Sequence, residues 1–150
     1  MAGSPLVPRA PLVAAGEFGP RLSALRVAEA IARGLRAGGA PAPDLCPLSS
    51  EQVRLGGLPT LLAEVHLDAR MRAARAVIVA ERRLDERTLA GSAAFEVATR
   101  ARQAGVPAYA VTAHNRLDAF DARMLDLQRV LIGSTARTLA AAGAELARLL

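Results

Sequence analysis

Glu81, Arg83 and Asp85 stand at alternate positions directly after the apolar run Ala76–Val79. Two carboxylates at this spacing can carry a divalent cation or move a proton, and a guanidinium can grip an oxyanion through paired hydrogen bonds. Further cations and donors lie in comparable places. Arg82 is in the same stretch, Arg21 follows the first apolar run, and Asn115 and Arg116 follow the run Ala108–Ala113. Each has a plainer reading beside the chemical one. Arg83 can pair with Glu81 or Asp85, and Asp85 can cap the next helix through Thr88. Asn115, Arg116 and Asp118 can be solvated loop residues, and surface arginines such as Arg54 and Arg82 usually bind nothing in particular.

The elements that must position these side chains follow from apolar patterning. Ala76–Val79 is uninterrupted and β-branched, as suits a strand buried on both faces of a parallel sheet. Leu12–Ala15 reads as a first strand and Pro41–Leu48, broken by Pro43 and Pro47, as an edge strand. Ala108–Ala113 and Leu127–Ile132 complete a set of about five strands. Between them the 3.6-residue period predicts a helix over Leu22–Ala37, capped by Ser23 and stopped by Gly38 and Gly39. Pro59 suits the first position of another helix, running through Leu61, Leu62, Val65 and Leu67 toward Met71. Further helices are predicted over Glu86–Ala104, briefly over Asp118–Asp126, and after Ser134, read as the last cap. Ser49–Gly57 reads as a connecting loop with at most one helical turn. Strands alternating with helices predict an α/β domain of three layers, with a mostly parallel sheet and helices on both faces. Residues 1–10 read as a disordered tail and 11–150 as one domain. Ligands in such sheets bind beyond the carboxyl ends of the strands. An anion is therefore expected near Glu17–Arg21, Arg82–Asp85 and Asn115–Asp118.

Composition narrows the classes. Over 150 residues, hydrophobic side chains make up 52% and charged ones 22%, which is globular rather than disordered. No apolar run approaches the ~20 residues that cross a bilayer. The N-terminal region, interrupted by prolines and without a basic n-region, does not read as a signal peptide. One cysteine, Cys46, excludes an intrachain disulfide and suits a reducing cytoplasm. His66 and His114 have no second ligand at metal spacing, so no zinc site is expected. All 19 basic residues are arginine, so no lysine is available as a phosphate-binding point charge. The net charge of +5 comes with no basic stripe interleaved with aromatics, and nucleic-acid binding ranks last.

Three ordered blocks resemble the bacterial type I glycerate kinases. The first is LSALRVAEAIARGLRAGG with DLCPL, within Leu22–Leu48; the second is LDARMRAARAVIVAERRLDERTLAGSAAFEVATRARQAGVPAYAV, Leu67–Val111; the third is the C-terminal strand and helix. The resemblance implies a Rossmann-like fold, ATP and Mg²⁺ as cofactors, and transfer of a phosphoryl group to a glycerate hydroxyl. Onto this chain it carries Glu81, Arg83 and Asp85 as catalytic, with Arg21, Arg82, Asn115 and Arg116 toward substrate or phosphate. The family's second domain would be inserted near residues 49–57 and is absent here.

The departures cluster in the loops. After the first strand the family has Pro-Asp-Ser-Phe-Lys-Gly, where this chain has Ala14-Ala15-Gly16-Glu17-Phe18-Gly19-Pro20, aligned to within one residue. The Phe is kept and the Asp and Lys are not. The family's Asp-Gly-Gly-Glu-Gly loop is replaced by Ser50-Glu51-Gln52-Val53-Arg54, two glycines by Ala80 and Arg82, and a lysine by Ser92. The expected function is therefore a glycerate-kinase-like protein with lost or strongly reduced activity. A non-catalytic binding or assembly domain with an anion or nucleotide pocket is the alternative. Apolar surface around Leu55, Leu58 and Leu61 is expected to drive homo-oligomerisation.

Overall fold

Alternate residues of the two central strands feed two different cores, and this sets the layers. The computed structural model describes residues 9–150, so most of the expected N-terminal tail lies outside the described residues. Ala10, within them, accepts a hydrogen bond from the Arg75 amide. Strands β1 (Leu12–Ala15), β2 (Asp44–Pro47), β3 (Val77–Ala80), β5 (Ala108–Thr112) and β7 (Leu127–Ile132) form one sheet in the order β2-β1-β3-β5-β7, with every pairing parallel. Leu12, Ala14, Val77 and Val79 face a core closed by α3 (Leu58–Glu64), α4 (Leu67–Ala73) and α5 (Ala93–Gln103). Val13, Ala15, Ile78 and Ala80 face the other core, closed by α1 (Ala24–Ala37) and α7 (Ala136–Ala147). This is the three-layer α/β arrangement expected from the pattern, with Ile78 fully buried at its centre.

On the second face the two helices touch backbone to backbone. A Cβ on Gly34 would overlap the Ala140 carbonyl, and one on Gly143 would overlap the Ile31 carbonyl. Glycine at these two positions lets α1 and α7 approach more closely than any side chain would permit. On the first face, Arg70 of α4 clamps the edge strand. Its Nε and Nη2 donate to the two carboxylate oxygens of Asp44 at 2.9 and 2.7 Å, and Nη2 and Nη1 also donate to the carbonyls of Leu45 and Val65.

Several local features differ from the sequence expectation. Ser49–Gly57 is not a loop: α2 (Ser50–Gly56) is capped by Ser49, whose hydroxyl accepts the Gln52 amide while Gln52 reaches back. That reciprocal pair is a capping box. The helix expected over Glu86–Ala104 is two pieces, a 3₁₀ turn (Glu86–Ala90) and α5, divided by left-handed Gly91 and restarted by Ser92. The last helix is capped by Thr135 and not Ser134, because Thr135 Oγ1 is placed to accept the Thr138 amide. Two short strands, β4 (Arg83–Leu84) and β6 (His114–Asn115), pair as a separate parallel ribbon. The short helix α6 (Ala119–Leu125) is capped by Asp118.

Candidate active site

The order β2-β1-β3 means that the chain leaves β1 toward one side of the sheet and later returns on the other. In open α/β sheets such a reversal opens a crevice beyond the carboxyl ends of the two strands. Gly16 and Glu17 follow β1 here, and Glu81 follows β3. A Cβ on Gly16 would lie 3.9 Å from the Glu81 carboxylate, so the two strand ends meet face to face. The cavity at this point is about 10 Å³, walled by Ala14, Gly16, Leu48, Glu81, Ala94 and Val97 among others. That is room for roughly one water.

Glu81 is the chemically distinctive group of the crevice. Burial, then the charges of Glu17 and Asp85, push its carboxyl up to about 7. A carboxyl poised near neutrality can give or take a proton at physiological pH. The charges acting on it are both negative. Glu17 is itself engaged: both its oxygens accept the Ser50 amide, at 3.1 Å each, and this holds the start of α2 over the end of β1. The single-residue pattern of the sequence could not have found this contact, which joins positions 33 apart.

The other candidate residues divide between structural tasks and open surface. Asp85 accepts the Arg87 amide with its carboxylate, and its own amide donates to Thr88 Oγ1, so it caps the 3₁₀ turn as its plainer reading anticipated. Among the described residues Arg83 forms no ion pair with Glu81 or Asp85; it points from β4 as an exposed side chain. Asn115 spends its side-chain oxygen on the Leu117 amide, and the Arg116 amide donates to the Leu84 carbonyl. Arg21 stands exposed in the turn before α1. Arg82, Arg83 and His114 line a second cavity of about 340 Å³. Thr112 is the unforeseen organiser of that region: it is buried, and its hydroxyl donates to the Arg82 carbonyl at 3.1 Å. Cys46 is buried in β2, where burial raises its thiol pKa, so it behaves as a small core residue.

A parallel sheet covered on both faces, with its switch-point crevice between the first and third strands, defines a Rossmann-like α/β domain. Residues 37–150 match the glycerate kinase family, and the chain belongs to that family. No curated relative matches the sequence. Among solved structures, a Salmonella typhimurium LT2 protein provisionally assigned as glycerate kinase 2 is 21% identical, with a TM-score of 0.47. The alignment covers 83% of this chain and 37% of that one, so this chain spans little more than a third of its length. An oxidoreductase from Corynebacterium diphtheriae is 14% identical over 95% of this chain and 96% of its own, also with a TM-score of 0.47. No helix among the described residues is long and apolar enough to cross a membrane.

Proposed function

We propose that this chain is a glycerate-kinase-family domain that retains the family scaffold but not effective ATP-dependent phosphorylation of glycerate. The observation that supports this most is the cavity between β1 and β3, which has room for about one water and is lined by a single carboxylate, Glu81, on which the charges of Glu17 and Asp85 act. Phosphoryl transfer depends on positioning the phosphates and neutralising charge that develops on their oxygens. The family implies ATP and Mg²⁺, but the residues present do not fit them as arranged. Among the described residues no group of three or more His, Cys, Asp or Glu could hold a metal ion by itself, but Mg²⁺ carried with ATP needs only one or two carboxylates beside the phosphates, so the misfit lies in the phosphate cradle. Where the family resemblance calls for a glycine-rich loop, α2 is a capped helix fastened to Glu17. The family lysine position, Ser92, is a helix cap whose hydroxyl accepts the Phe95 amide.

This reading takes the family's inserted domain to be absent between β2 and α3 and places the protein in a reducing cytoplasm. It includes a homo-oligomer, on narrower grounds than the sequence alone offered. Leu61 is buried at 4% exposure and Leu58 packs partly against the core, which leaves Leu55, 78% exposed, as the apolar residue at that surface. Light scattering of the protein and of Leu55→Glu tests association; a monomer in both cases removes that part.

The test of the main reading is a coupled assay for ADP release with D-glycerate and Mg²⁺-ATP, run beside Glu81→Gln. Turnover at background is the expected result. Robust turnover abolished by Glu81→Gln overturns the proposal.

A further inference from the structure

We propose that the outer edge of β7 docks a second copy of this chain, the two copies joining edge to edge into one continuous sheet across a twofold axis. The proposal rests on the preceding reading only in taking copies to associate. It assigns the contact to the opposite end of the sheet from β2, α2 and Leu55.

The two ends of the sheet are finished differently. β2 is four residues long, carries Pro47 with Pro43 just before it, and is clamped on one face by Arg70. Short length and proline both close an edge to further pairing. β7 is six residues long and has no proline and a single charge. Among the described residues only β5 pairs with it. The Gly133 amide donates to the Thr112 carbonyl at 3.0 Å, so Leu131 and Gly133 turn their backbone groups toward β5. By the alternation of an extended strand, Val130 and Ile132 turn theirs outward, where the described residues offer no partner. The register shift in β7 comes before Val130, which leaves Val130, Leu131 and Ile132 in regular register.

An edge of this pattern fits itself. Antiparallel pairing about a twofold axis at Leu131 sets Val130 opposite Ile132 of the second copy. Each such pair exchanges two N–H···O bonds, and the axis repeats them. Apolar surface gathers at the same end: Phe120, Met124 and Ile132 are 67%, 50% and 60% exposed. Phe120 and Met124 are four apart on α6 and so share a face, and α6 is the crossover from β5 to β7. With the strand edge they offer roughly 500 Å² per copy, and roughly 1,000 Å² in all is the lower limit of a specific interface.

Charge favours this surface for a second copy. A chain of net charge +5 repels itself, so two copies meet best where arginine is scarce or neutralised. Arg129, the charge on β7, lies 3.5 Å from Glu145 of its own α7, and α6 balances Arg123 with Asp121.

Light scattering over a concentration series should show the mass rising to twice that of the chain. Hydrogen exchange should show the Val130 and Ile132 amides slowing as the dimer forms, while the Gly133 amide, bonded within the chain, changes little. Ile132→Lys, a change at an exposed position, should weaken association about tenfold or more, and Leu55→Glu should leave it unaltered. Exchange in the unsubstituted protein decides the question if the lysine variant fails to fold. A monomer at every concentration overturns both this proposal and association through Leu55. A dimer lost in Leu55→Glu but kept in Ile132→Lys overturns this proposal alone, as does a dimer whose Val130 and Ile132 amides exchange at the dilute rate. The kinase reading is decided separately by the ADP-release assay.

Discussion

Glu17 and Ser50 join the end of β1 to the start of α2 through two hydrogen bonds of 3.1 Å, from one amide to both carboxylate oxygens. The contact fixes a negative charge beside Glu81, whose carboxyl it helps to raise. Glu17→Gln keeps an acceptor for Ser50 and removes that charge. The Glu81 titration should then move down from about 7, though not to its ordinary value, because burial is the larger cause. Carboxyl ¹³C NMR reads this directly, and an unmoved Glu81 titration would show the two groups to be uncoupled.

Stability should fall as pH rises through the range in which Glu81 loses its proton. The folded protein holds that proton up to about pH 7, whereas the unfolded chain releases it near 4.5. Between these values the native state binds more protons, so each step up in pH disfavours it. At 1.36 kcal/mol per unit, the loss reaches roughly 3 kcal/mol and levels off above neutrality. Urea unfolding of the protein and of Glu81→Gln from pH 5 to 8 checks this. The variant should lose most of the slope, and equal slopes in both would assign the effect elsewhere.

The α1–α7 contact should tolerate almost no added volume. Gly143→Ala places a methyl group against the Ile31 carbonyl, and the helices must separate to admit it. Overpacking of this kind typically costs about 1–3 kcal/mol. Thermal unfolding should show a clear drop in Tm, larger than that of Gly105→Ala at the α5–β5 turn, where an added Cβ meets nothing within 4 Å. Gly105 has a positive φ of 71° and carries its own backbone strain, so the comparison sets crowding against strain.

Arg70 should be the main tether of the edge strand. Its fork takes both oxygens of Asp44 and two main-chain carbonyls, a geometry that lysine cannot reproduce. The pair is only partly buried, so its loss is set at roughly 1–2 kcal/mol rather than the value for a fully buried network. Hydrogen exchange should localise the effect of Arg70→Lys to β2, seen first at the Asp44 amide, which donates to the Pro11 carbonyl. Unchanged protection of β2 would contradict this role.

Short-range patterning was enough to identify what each segment could become. The uninterrupted run ending at Val79 signals a doubly covered strand, Pro43 and Pro47 mark β2 as an edge, and Ser23 with Gly38 bounds α1. Alternation and capping depend on neighbours within a few residues, which is why they can be read along the chain. The same locality explains the errors. Ser49 and Gln52 are a cap signal hidden in a polar stretch, and Gly91 with Ser92 breaks one apolar period into two helices.

The candidate site was legible only as a region. That Glu81, Arg83 and Asp85 follow a buried strand could be read from the chain, but their division of labour could not. Tertiary structure half-buried Glu81 within reach of the Glu17 charge, left Arg83 on the ribbon beside His114, and spent Asp85 on a cap. Strand order decided this, because β1 and β3 become neighbours only when the chain reverses across the sheet. The ionisation of Glu81 and the gathering of Arg82 with His114 depend on distances between segments far apart in sequence. Burial and Coulomb interactions act through space, so only the folded chain could decide them.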